Sequence, residues 1–382
     1  MNEKLRNLVA RFGTWLRTNK RKILLTLWFF LFVALGIAYP LVSKYYSLPF
    51  LDPLGSGDEG SPIVLSESTK KEVSHPITGV FYTAEEESSW VGRRPLGVMV
   101  DNHYLARPYQ FGLQGADIIY EAVAEGGITR FLALFHSQNV GKIGPVRSAR
   151  VYYMDFALEF PAYYAHVGGA STPGPANIHT YIAKNDVLSL NQFRLGSATY
   201  TYGGDVRFPG GGVLSHIHYS STDKLSQAGE LLYPGTNKMP AFERWKFKSD
   251  APFAARPKEQ KFSFNFWYFP AYQVGWSFEP KTNSYLRWQG GEVQTDKATG
   301  KQLFAKNVAL VYMRARSAGD GTSHRLYTTT GEGDAVLYQD GVEVSSTWRR
   351  SNLSSRMKFF KRGTNEELEL NRGLTWIEVL PK

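Results

Sequence analysis

The run from residue 23 to residue 42 contains no charged side chain, and no other feature constrains the chain as tightly. A helix needs about 20 apolar residues to cross a hydrocarbon core of roughly 30 Å, and this stretch has that length. Tyr39, Tyr45 and Tyr46 gather at its far end, where amphipathic rings favour the membrane interface. The sequence therefore predicts a single N-terminal transmembrane helix over 23–43. A cleaved signal peptide fits less well. Its apolar part would exceed the usual length of about 7–15 residues, and Gly36-Ile37-Ala38 is a poor small-x-small cleavage site.

Charge gives the direction. Lys4, Arg6, Arg11, Arg17, Lys20, Arg21 and Lys22 stand against Glu3 alone before the span, whereas Lys44 and then Asp52, Asp58 and Glu59 follow it. Basic residues stay on the cytoplasmic side. The expected location is thus the cell membrane, with the N-terminus inside and the bulk of the chain extracytoplasmic. The same tail explains the net charge of +10: its seven cations and one anion account for +6, leaving about +4 for the remaining 360 residues. That is an ordinary surface, and it argues against a nucleic-acid partner. Cysteine is absent, which excludes disulfides, thiolate metal sites and a cysteine nucleophile.

Composition divides the rest. Residues 1–22 are a basic cytoplasmic tail and 44–90 a Gly/Ser/Pro-rich flexible tether. Residues 91–240 alternate short apolar runs (96–100, 117–123, 129–135, 163–167) with helical spacing at 148–160, 178–183 and 222–233. From 241 to 382 period-two runs dominate, punctuated by the turn signal Asp340-Gly341. The expected fold class is an α+β, or α/β, N-terminal ectodomain joined to a β-rich C-terminal domain.

Polar residues that bear on chemistry cluster between 101 and 150. Asp101 ends a strand, where open sheets place ligands. Glu121 lies mid-strand in an apolar element, and a carboxylate there costs several kcal/mol unless paired; Arg130, on the neighbouring strand, is its expected partner. Gly144-Pro145-Val146-Arg147-Ser148-Ala149-Arg150 reads as a tight turn into a helix that Ser148 can cap. Arg147 and Arg150 flank that start and suit a phosphate, pyrophosphate or carboxylate, unless both pair with Glu121, Glu125 or Asp155. Asn102, Arg130 and His216 complete the ligand-binding candidates. Asp101, Glu121 and Glu125 are the candidate catalytic carboxylates, although the spacing of the two glutamates does not ensure that they converge. His216 and His218 form an H-x-H pair that falls short of a metal set, so no metal and no cofactor is expected. No G-x-S-x-G is present.

Residues 94–102, 116–121, 125–131 and 143–150, with Ser215-His216, Thr347-Trp348 and 373–377 following in order, resemble the YerB-type family of bacterial lipoprotein-like proteins. The likeness spans roughly residues 92–380. It implies an envelope protein of two linked domains and no particular activity. This chain departs from the pattern in lacking a lipid-modified cysteine. Three functions fit: a non-catalytic module for a cell-wall polymer or membrane partner, an enzyme on phosphorylated envelope precursors, and a glycan-cleaving enzyme. The second shares only its layout with the LytR-CpsA-Psr phosphotransferases.

Overall fold

Short apolar runs bounded by glycine and polar turns form strands here, and most of them enter one sheet. The structure, a computed structural model, describes residues 70–382. Ten strands lie in the spatial order 358–361, 342–350, 331–339, 307–313, 375–381, 118–123, 129–135, 96–101, 163–166, 189–191. Strand 375–381 is parallel to both of its neighbours, with Asn307 opposite Thr375 on one side and Thr375 opposite Ile118 on the other. Strands from either side of residue 240 thus share a single hydrogen-bonded ladder.

Side-chain alternation builds two cores. Met99, Tyr120, Leu132 and Ile377 face a layer containing the helix Val151–Leu158. Val98, Val100, Ile119, Phe131 and Trp376 face a second sheet of five strands. That sheet runs 261–265, 273–279, 284–289, 292–293, with 304–305 also paired to 284–289. Trp276 and Tyr285 point from it into the shared core. Residues 70–90 are tied down as well: Ile77 and Trp90 are buried, and the buried His75 ring hydrogen-bonds that of His136 at 2.9 Å.

The expected fold class needs correction. The described residues are mostly β, with twenty-three strands against five α-helices, the longest of eleven residues. Two causes stand out. The helical spacings of the N-terminal half correspond to short connecting elements. Residues 201–207 and 213–219 form a hairpin in which register shifts after Tyr202 and Val206 break the alternation of the first strand, while the second keeps Ser215, Ile217 and Tyr219 buried. The expected transmembrane helix has no counterpart among the described residues. No described helix is long and apolar enough to cross a membrane, and the expected span at 23–43 lies outside the described residues, as do the tail 1–22 and residues 44–69.

Candidate functional site

All the parallel strands of the large sheet run the same way, so their carboxyl ends form one edge. Asp101 ends its strand there, opposite Arg130 on the antiparallel neighbour. The loop 143–149 crosses the same edge: Asp101 N–H donates to the Pro145 carbonyl at 2.9 Å, and Arg147 N–H donates to that of Met99 at 2.9 Å. The helix that follows begins at Val151 with Arg150 as N-cap. Ser148 therefore precedes the cap, contrary to the sequence expectation, and its carbonyl accepts from Arg130 Nη1 at 3.0 Å.

Five charges meet at this edge. Arg130 Nη2 lies 2.9 Å from Glu125 Oε2, and Arg150 Nε bonds Glu125 Oε1. Burial opposes ionisation of Glu125, but the two guanidinium groups more than offset it and hold the carboxyl below its ordinary range. Arg147 Nε stands 3.0 Å from Asp101 Oδ2. The contact is a charge pairing without hydrogen-bond alignment. Asp101 Oδ1 instead accepts from the His103 amide at 2.9 Å. Among the described residues the terminal nitrogens of Arg147 make no hydrogen bond, and the side chain keeps 24% of its surface exposed. Three arginines face two carboxylates, so the edge carries net positive charge.

Glu121 does not belong to this group. It projects toward the five-stranded sheet, and its partner is Arg287, not Arg130 as the sequence suggested. Arg130 was the nearest cation in sequence, but its strand register points it to the carboxyl edge. Glu121 Oε1 accepts from Asn102 Nδ2 at 2.8 Å, Thr129 Oγ1 at 2.6 Å and Gln289 Nε2 at 3.1 Å, and Oε2 accepts from Arg287 Nη2. The register sets Glu378 beside Glu121 on the next strand. Glu378 Oε1 accepts from Trp276 Nε1 at 3.0 Å and from Arg287 Nη1 at 2.5 Å. Both carboxylates and the guanidinium are fully closed to solvent. One cation cannot neutralise two buried anions. Burial, with the neighbouring Glu121 charge, raises the Glu378 carboxyl to about 8 against the pull of Arg287, which favours the protonated acid.

The candidates thus separate into three places. Asp101, Glu125, Arg130, Arg147, Ser148 and Arg150 converge at the sheet edge. Asn102 and Glu121 lie in a buried polar hub that locks the two sheets together. His216 sits apart, exposed on the 201–219 hairpin, with Nδ1 2.7 Å from Asp205 Oδ1. No group of three or more metal-ligating side chains occurs among the described residues. Sequence reading passed over Arg287 and Glu378. Each is a charge inside an aromatic or β-branched strand (Tyr285-Leu286-Arg287-Trp288, Trp376-Ile377-Glu378-Val379), the same signal that singled out Glu121.

Known proteins share this fold. The N-terminal domain described as "Protein of unknown function (DUF3048)" matches residues 77–231, and the corresponding C-terminal domain matches residues 264–377. A Bacillus subtilis protein named "Putative lipoprotein YerB" is 30% identical over 332 residues, covering 82% of this chain and 88% of that protein. The crystal structure of YerB from Bacillus subtilis aligns with a TM-score of 0.68 at 27% identity, over 81% of this chain and 97% of the other.

Proposed function

The chain belongs to the YerB-type DUF3048 family, and from that premise we propose that it is an envelope-associated binding protein without catalytic chemistry of its own, taking an anionic group of a cell-wall polymer at the carboxyl edge of its large sheet. The location rests on the lipoprotein designation of the relative. The binding role rests on Arg147, a partly exposed guanidinium whose terminal nitrogens have no acceptor among the described residues, at the edge where sheets of this kind take ligands. The three carboxylates that a hydrolase could use are all engaged. Glu121 is sealed in the hub, Glu125 is held by two arginines, and Asp101 faces Arg147. Glycoside cleavage needs two carboxyl groups free to flank an open cleft, which these do not provide.

The test is the melting temperature of the protein with anionic and neutral wall fragments, beside Arg147→Ala. A ligand bound only by the fold raises the melting point, by about 2.7 kcal/mol of stabilisation at one hundred times Kd. The expected result is a rise with anionic fragments that added salt weakens and that Arg147→Ala loses. An equal rise in the variant, or none in the wild type, overturns the reading.

A further inference from the structure

Beside Glu125 a cavity of about 260 Å³ opens, lined by the Gly126-Gly127 turn, Trp267, Ser317, Ser323, His324 and Arg325. No carboxylate lines it. The turn is closed by the Ile128 amide donating to the Glu125 carbonyl at 2.9 Å, and both glycines adopt positive φ, +57° and +81°. A side chain at 127 would collide with the Trp267 ring at 2.5 Å, so glycine there lets the indole close over the turn. Among the described residues the Gly126 and Gly127 amides donate no hydrogen bond. Arg325 likewise makes neither a hydrogen bond nor an ion pair there; its guanidinium carbon rests 4.8 Å from the Trp267 ring centre.

The histidine is oriented. His324 Nδ1 lies 2.7 Å from Asp320 Oδ2, whose side chain is closed to solvent while the imidazole keeps 12% of its surface. Asp320 is fixed in turn by Thr322, whose hydroxyl donates to Oδ1 at 2.6 Å. With the Nδ1 proton turned to Asp320, Nε2 is the nitrogen left to a ligand, and it donates to an oxyanion when the ring carries both protons. Two backbone amides, two hydroxyl-bearing serines, one unpaired guanidinium and one oriented imidazole thus surround a small cavity without a single carboxylate.

The geometry points to a binding site for a phosphate group in this cavity, held by Arg325, the Gly126 and Gly127 amides and His324 Nε2. Tetrahedral oxyanions accept from several directions at once, which suits donors spread over a turn, a loop and two strands. The phosphate could arrive as a monoester or within a diester polymer, since both present the same oxygens. The site neighbours the Arg147 contact but uses none of its residues.

The purified full chain, with ¹⁵N-labelled histidine, is titrated with inorganic phosphate, with a phosphodiester (glycerophosphocholine) and with acetate at matched ionic strength. His324→Gln assigns the resonance. The expected result is that phosphate or the diester moves the His324 Nε2 signal and acetate does not, the stronger of the two identifying the source. Arg325→Gln, with an unchanged melting temperature, weakens binding at least tenfold. A His324 signal that phosphate and diester leave in place overturns the assignment, as does a titration unchanged in Arg325→Gln. If Arg325→Gln fails to fold, the wild-type His324 signal alone decides. Arg147→Gln separates the two sites. Loss of phosphate binding there, with Arg325→Gln unaffected, puts the ligand on Arg147 and overturns the cavity site; the reverse upholds the cavity and counts against the Arg147 contact.

Discussion

Glu378→Gln tests the buried hub directly. In the wild type the carboxyl at 378 is raised to about 8, chiefly by burial, from an ordinary value of 4.5. The folded state therefore holds a proton that the unfolded chain has already released anywhere between those values. Its contribution to stability is complete below about 4.5 and is lost as pH rises through 8, at about 1.4 kcal/mol per pH unit. Glutamine reproduces the protonated acid: its carbonyl can accept from Trp276 and Arg287, and its N–H can donate to Glu121, without a titrating proton. Between pH 6.5 and 8 the wild type should lose about 2 kcal/mol relative to Glu378→Gln, slightly less as the folded state itself begins to ionise. Urea denaturation at several pH values in that window measures both slopes, with the m-value checking that the unfolded states are comparable. The window also lies above the ordinary value of histidine. Parallel curves for the two proteins, or a steeper fall in the variant, would refute the protonated-acid account.

Two further outcomes follow from the same electrostatics. Arg287→Met removes the cation that bonds both the Glu121 and Glu378 carboxyl groups, so chemical denaturation should show a loss of about 3–5 kcal/mol; a loss below about 1 kcal/mol would refute the weight given to that pairing. On the acid side, burial lowers His75 to about 3 and His136 and His166 to about 4, so the fold keeps these rings neutral while the unfolded chain protonates below about 6.5. Stability should therefore fall as pH drops from 6.5 toward 4, at up to about 1.4 kcal/mol per pH unit for each ring, and a melting temperature flat across that range would contradict it.

Much of the large sheet was legible because its strands are written locally. Residues 96–100, 129–135 and 308–312 are short apolar runs, and Asp340-Gly341 sits at the hairpin between 331–339 and 342–350. The carboxyl-edge cluster was legible for the same reason: the end of a strand and a Gly-Pro turn are local signals that bring Asp101, Arg147 and Arg150 to one edge. Pairing partners were not. Arg130 is nine residues from Glu121 and Arg287 is 166, yet the distant one makes the contact, because strand register decides which face each side chain takes. The strand at 201–207 escaped because bulges break the period on which strand recognition depends. His324 and Arg325 escaped because they follow a loop, Asp320 to Ser323, whose glycine, threonine and serine carry no period at all.

Strand 375–381 occupies the middle of the ten-stranded sheet, flanked on both sides by strands made earlier. A growing chain emerges N-terminus first, so the ladder cannot be joined until residues 375–381 have been made, long after both of its neighbours. Until then 118–123 and 307–313 each present an open edge, a template for wrong pairing with other chains. Assembly must wait for a late insertion between distant segments, a topology that folds slowly. Loss of residues 375–381 would split the sheet at its centre instead of trimming its rim.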